Sequence, residues 1–286
     1  MTINKIFKLC LLAALAISSC PALAEDIATA KPLEVGVIPY MSARVLVNSY
    51  EPLRQYLEKV LGKPVKIYTA NGFKPFLLNA QRGNYDLVIS AAHFARILQK
   101  DNQFIPLVRY SKGGRGLVMV ALDGPIKTPQ DLKGQIIAVP DKLSLASIVC
   151  MTALQEKGIK SGTDFKLLEV PSFESAILSI QKGDAAAAFS ALGALKSMKK
   201  ELQESVRPIV DTGEYISLVF LANPQMGTKY STLLRNTLLK FGSETNEGHQ
   251  FFARTGFGSI IPVTPQDMKS LDRYATETKR LLNESP

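Results

Sequence analysis

Ile136-Ile137-Ala138-Val139-Pro140-Asp141-Lys142-Leu143-Ser144-Leu145-Ala146-Ser147 is the stretch on which the fold turns. Four consecutive apolar residues, 136–139, read as a buried strand that Pro140 ends. Beyond it Leu145, Ile148, Val149, Thr152 and Leu154 fall near helical spacing, with Gly158 as the stop. Ser144 occupies the N-cap position and Ser147 follows three residues later, so two hydroxyls and several unpaired backbone N–H groups gather at one helix start. The peptide dipoles there favour negative charge, which makes the site suited to an anion. A plain capping role for Ser144 is the alternative that the local sequence leaves open.

On either side of this unit, strands and helices alternate, which predicts a mainly parallel α/β sheet. Strands are expected at 33–38, 65–69, 86–89 and 104–110, with helices at 45–61, at 72–82 and from His93 through Leu98. After a glycine-rich segment, Lys112-Gly113-Gly114-Arg115-Gly116, comes a strand at 117–122. That segment lacks the Gly-Lys-Ser/Thr ending of a phosphate loop and precedes a strand, so it reads as a turn or hinge. Thr128 with Pro129 opens a short helix. A second unit then follows, with strands at 135–139, 164–170 and 185–190, helices at 172–181 and 192–204, and strands at 209–210 and 215–222. Helices at 231–241, 246–255 and 265–282 close the chain.

The pattern implies two α/β lobes, the second inserted into the first. Residues 31–118 and 219–286 make lobe 1, residues 119–218 make lobe 2, and two strand crossings join them. Ligands in open α/β sheets lie beyond the carboxyl ends of the strands. With two lobes that places them in a cleft, flanked by residues 39–42, 90–93, 140–147 and Ser190.

Residues 1–24 read differently. Lys5 and Lys8 precede an apolar run from Leu9 to Ile17, and Ala22-Leu23-Ala24 is a small-residue cleavage pattern, so a secretory signal peptide is expected. A lipoprotein reading puts a lipid on Cys20, although Pro21 directly after the cysteine disfavours it. Loss of Lys5 and Lys8 lowers the net charge of +9 to +7. That balance suits an anionic ligand, but no run of five Lys or Arg occurs, so nucleic acid is not implied as a partner. Past the leader Cys150 is the lone cysteine, which excludes an internal disulfide and reads as a small buried hydrophobe. With His93 and His249 the sole histidines, a His/Cys metal cluster is not expected, and no cofactor is called for.

Five segments, in order, carry a resemblance. They are Val35-Gly-Val-Ile-Pro-Tyr40 with Tyr50-Glu-Pro-Leu-Arg-Gln-Tyr-Leu57, Gly83-Asn-Tyr-Asp-Leu-Val-Ile-Ser-Ala-Ala-His93, Ile126-Lys-Thr-Pro-Gln-Asp-Leu-Lys-Gly134 and Gly256-Phe-Gly-Ser-Ile-Ile-Pro-Val-Thr264. With them, nearly the whole length past the leader resembles the phosphate, phosphite and phosphonate substrate-binding proteins of bacterial ABC importers. The resemblance implies a type II periplasmic binding protein, a monomer that takes a small anion between its lobes and delivers it to an inner-membrane permease. A protein that presents an organic ligand to a sensor kinase is the alternative.

The resemblance also implies contacts. Tyr40 matches the aromatic of the first loop. His93 replaces a common tyrosine, preceded by Ser90 where the family has a Gly-Pro pair. Ser144-Leu145-Ala146-Ser147 stands where Ser-Thr-Ser-Gly is usual, so at least one hydroxyl is missing. Phe173-Glu174 aligns with a His-Asp pair, and Ser190 lies where aminophosphonate binders carry an acid, which disfavours an aminoalkyl ligand. The expected ligand set is therefore Tyr40, Ser90, His93, Ser144, Ser147, Phe173 and Ser190. An enzyme is not expected: Ser197-Met198-Lys199-Lys200 fits Ser-x-x-Lys by count alone, and no Gly-x-Ser-x-Gly is present.

Overall fold

The structure, a computed structural model, describes residues 31–283. The expected leader at 1–24 and the lipid reading of Cys20 lie outside the described residues. The chain begins with strand β1 (Leu33–Val37), helix α1 (Ala43–Leu61), β2 (Val65–Tyr68), α2 (Phe73–Gln81), β3 (Leu87–Ala91), α3 (Ala92–Asn102), β4 (Ile105–Tyr110) and β5 (Gly114–Ala121). It continues through β6 (Ile136–Val139), α4 (Leu145–Glu156), β7 (Lys166–Glu169), α5 (Phe173–Lys182), β8 (Ala187–Ala191), α6 (Leu192–Lys196), α7 (Lys200–Glu204) and β9 (Val206–Tyr215). Then come β10 (Leu218–Ala222), α8 (Gly227–Glu244), α9 (Asn246–Thr255), β11 (Ile260–Pro262), α10 (Pro265–Ser270) and α11 (Asp272–Asn283).

Two sheets result, in the orders β11-β4-β10-β3-β1-β2 and β7-β6-β8-β5-β9. Each holds one parallel trio, β2-β1-β3 and β7-β6-β8. The remaining pairings are antiparallel, so the sheets are mixed and not mainly parallel as the alternation predicts. The reason lies in how strands arrive. A parallel neighbour needs a helical crossover, whereas β5 and β10 enter directly from the other sheet and pair head to tail.

The crossings are short. The chain leaves the first sheet at Tyr110 and joins the second by Gly114; it leaves the second at Tyr215 and rejoins the first at Leu218. Residues 114–118, expected in lobe 1, therefore belong to the second sheet, and Leu218 pairs with Ala91 in the first. Glycine explains the shift. A Cβ on Gly114 would come within 2.5 Å of the Tyr215 ring, so the segment read as a turn is instead bare enough to pair as strand.

Two expected long helices are broken. The span 192–204 splits after Lys196, and at the break the Ser197 hydroxyl donates to the carbonyls of Gly193 and Ala194, at 2.8 and 3.0 Å. The span 265–282 splits at Leu271, where Asp272 starts a new helix and accepts from Arg96 at 2.8 Å. Helix α4, in contrast, is more deeply set than its stripe suggests. Every residue from Leu145 to Thr152 is buried, because β5, β8 and β9 cover one side and α11 the other. Cys150 is fully buried on this helix, and burial pushes its thiol up.

Candidate functional site

Each parallel strand that feeds a helix does so at its carboxyl end, and the two sheets turn these ends toward one another. The first sheet contributes the start of α1 after β1 and the start of α3 after β3; the second contributes the starts of α4, α5 and α6. Contact between the two sets is direct. His93, in the first turn of α3, is fully buried, and its Nε2 lies 3.0 Å from the carbonyl oxygen of Leu143, just before α4. A carbonyl only accepts, so Nε2 carries the proton and Nδ1 of the neutral ring is left as an acceptor.

Around Ser144 the polar groups are arranged as the spacing predicts. Asp141 shapes the approach, its carboxylate accepting from the Leu143 amide at 2.7 Å. Ser144 is the N-cap of α4, and its Oγ accepts from the Ser147 amide at 3.2 Å. The Ser144 hydroxyl in turn donates to Ser147 Oγ at 2.9 Å. That relay commits the Ser144 proton and leaves that of Ser147 uncommitted, and the Leu145 and Ala146 amides of the first turn have no intrahelical acceptor. Both serines are buried, Ser144 at 8% exposure and Ser147 at 0%.

Among the described residues five buried side-chain atoms lack a partner, on Thr69, Ser90, His93, Asn102 and Tyr230, and two of them, Ser90 Oγ at the end of β3 and His93 Nδ1, stand together where β3 runs into α3. Leaving such a group unpaired costs about 1–3 kcal/mol each, which a fold tolerates where another molecule completes the bonding. Ser190 is also buried, its hydroxyl reaching only the Ala191 carbonyl at a long 3.4 Å.

Tyr40 and Phe173 sit elsewhere on the cleft. Both are half-buried and line an open cavity of about 850 Å³ together with Met41, Asn48, Arg254 and Phe257. The Tyr40 ring meets Phe257 edge-on at 5.9 Å, and its hydroxyl points toward Tyr50, 3.4 Å away. Burial pushes the Tyr40 phenol up to about 12, so it remains a donor at neutral pH. Of the seven residues expected at the site, Ser90, His93, Ser144, Ser147 and Ser190 are thus buried, while Tyr40 and Phe173 face the open cavity. Arg254 and Phe257 were not among the expected set. Phe257 lies inside one of the segments that carry the resemblance, and that was the available signal.

The profile of a family described as "ABC transporter, phosphonate, periplasmic substrate-binding protein" matches residues 35–268. The chain belongs to this family. Solved structures agree on the architecture. XAC2383 from Xanthomonas citri, bound to ATP, superposes with a TM-score of 0.77 at 18% identity, covering 90% of this chain and 100% of that one. PhnD1 from Prochlorococcus marinus, in complex with methylphosphonate, gives 0.71 at 17%, covering 89% and 99%. The periplasmic aliphatic sulphonate binding protein SsuA from Escherichia coli gives 0.62 at 19%, covering 90% and 95%. The expected type II periplasmic binding fold is thereby established for this family member. Among the described residues no helix is long and apolar enough to cross a membrane.

Burial of His93 has a consequence for stability. Desolvation pushes the imidazole down to about 3, opposed only in part by the Leu143 carbonyl. Its folded value thus lies below the ordinary 6.5 or so, and the unfolded chain takes up the proton first. Stability is therefore full above about pH 6.5 and declines as pH falls toward 3. Between pH 7.5 and pH 5 the loss attributable to this group is about 2 kcal/mol. Urea midpoints of the wild type and of His93→Gln, which keeps a donor for Leu143 but does not titrate, check it: the variant should be flatter over this range. Equal slopes would show that His93 is not the titrating group.

Proposed function

We propose that the protein is the solute-binding component of an ABC importer and captures a small oxyanion of the phosphonate, phosphite or phosphate kind between its lobes. The observation that carries this reading is the pairing of buried, incompletely bonded groups across the cleft. Ser90 and His93 come from one side, the Ser144–Ser147 relay and the free amides of α4 from the other, and the His93–Leu143 bond marks where they meet. Closure of such a cleft over a ligand removes the anion from water while supplying donors to it. The fold neighbour that holds methylphosphonate supports the choice of ligand class.

Thermal-shift screening tests this directly. Phosphate, phosphite, methylphosphonate, methanesulfonate and small carboxylates are added in turn to the purified protein. A ligand at 100 times its Kd stabilises by about 2.7 kcal/mol, a rise in Tm of roughly 5–10 °C. No shift with any oxyanion at millimolar concentration would overturn the proposal.

A second reading is favoured by the open cavity itself. Its aromatic walls, Tyr40, Phe173 and Phe257, with Arg254 at the rim, have room for an organic group of considerable size. On that reading the protein presents a non-phosphonate organic ligand to a sensor. Neighbouring genes for a permease and an ATPase decide for import, and a neighbouring sensor kinase decides for signalling.

A further inference from the structure

We infer that His93 makes the site select an oxyanion that still carries a hydroxyl proton, a hydrogen phosphate or hydrogen phosphonate, over one that carries none, such as a sulfonate or sulfate. The inference rests on the proposed interlobe anion site. It goes beyond it in naming which side of the ligand must donate.

Nε2 of His93 donates to the Leu143 carbonyl, which fixes the tautomer and leaves Nδ1 as a lone pair. Nδ1 is fully buried and meets no donor among the described residues. Ser90 Oγ, three residues earlier at the strand end, is likewise buried and unpartnered, and a hydroxyl is able to donate to an oxyanion. The pair therefore offers one acceptor and one donor. A P–OH group satisfies the acceptor, and the oxygen beside it takes the serine proton. A sulfonate of the same shape has only lone pairs to set against Nδ1, and like partners repel.

The electrostatic setting points the same way. The buried polar residues of the described chain include no lysine or arginine, and their one carboxylate, Glu277, is on α11 with Arg280. Without a buried cation the site accommodates one negative charge more readily than two, which also favours the protonated form of a phosphonate. An ammonium group would bring a donor as well, but Asp141, the carboxylate ahead of α4, is turned back onto the Leu143 amide at 2.7 Å. Burial keeps the imidazole neutral throughout the physiological range, so Nδ1 does not convert to a donor.

The test compares isosteric ligands. Isothermal titration calorimetry with methylphosphonate and methanesulfonate at pH 6.5 should give at least about a 100-fold tighter Kd for the phosphonate, a floor set below the roughly 10⁴-fold by which a site built to hydrogen-bond a ligand hydroxyl rejects the analogue lacking it. In His93→Leu, which has no acceptor at this position, the ratio should fall below about 10-fold. Should that variant misfold, ¹⁵N spectra of the wild type read the same event: the Nδ1 resonance should shift with methylphosphonate and stay unmoved by methanesulfonate. Similar affinities for the two ligands in the wild type, or an undiminished ratio in the variant, would overturn the inference and leave the anion site standing. Binding of neither ligand, nor of phosphate, would instead remove the site on which it rests.

Discussion

Replacing Ser144 and Ser147 together by alanine is expected to weaken oxyanion binding by at least about 100-fold. Hydrogen bonds to a charged group contribute roughly 1.5–3 kcal/mol each, and each 1.4 kcal/mol is a factor of ten in Kd. The relay concentrates both effects: the Ser144 hydroxyl donates to Ser147 Oγ, 2.9 Å away, and leaves the Ser147 proton uncommitted. Loss of the cap also costs about 1 kcal/mol of helix stability, because Ser144 Oγ accepts the Ser147 amide. The two contributions separate experimentally. The apo Tm reports the cap, the titration reports the anion, and Ser147→Ala alone keeps the cap while removing the uncommitted proton. Unchanged affinity in the double variant would show that the anion does not bind at the start of α4.

Gly113→Ala is expected to lower Tm by roughly 10 °C. Gly113 lies in the first crossing, where a Cβ would stand 2.1 Å from the carbonyl oxygen of Tyr215 and 2.9 Å from Cγ of Glu214. The obstructing atom is backbone, at the end of β9 and next to the second crossing, and it has no rotamer by which to escape. Forcing the two strands apart belongs at the upper end of overpacking penalties, about 3 kcal/mol, and a chain of this size loses about 2–4 °C per kcal/mol. Gly193→Ala serves as the control, since nothing lies within 4 Å of its added methyl. A drop of less than about 2 °C for Gly113→Ala would mean that the crossings are not held in close contact.

What was legible in the sequence was governed by local rules. The run 136–139 and the Ser144 cap predict β6 and α4 because a continuous apolar strand and an N-cap serine are short-range signals, and both stand where expected. Thr128 with Pro129 likewise opens a short helical turn, closed by Asp131 in a capping box. What was not legible depended on partners distant in the chain. Gly114–Gly116 read as a turn because glycine lacks strand preference, and only distant partners, Tyr215 and Glu214 of β9 and Ala191 of β8, draw them into a ladder. The strand Ile260–Pro262 is too short to announce itself and exists by pairing with β4. His93 belongs to the expected ligand set. Its donor proton is committed to Leu143, fifty positions along, and no pattern in the sequence records that contact.

Helix α4 has a second end. Twelve residues after Ser144 its last residue, Glu156, meets Arg273 of the C-terminal helix at 2.6 Å. That same C-terminal helix is tied to α3 through Asp272–Arg96 and Lys279–Asp101. A twelve-residue helix is a rod about 18 Å long. A tilt of α4 on anion binding would therefore act on the Glu156–Arg273 contact at its other end, outside the cleft.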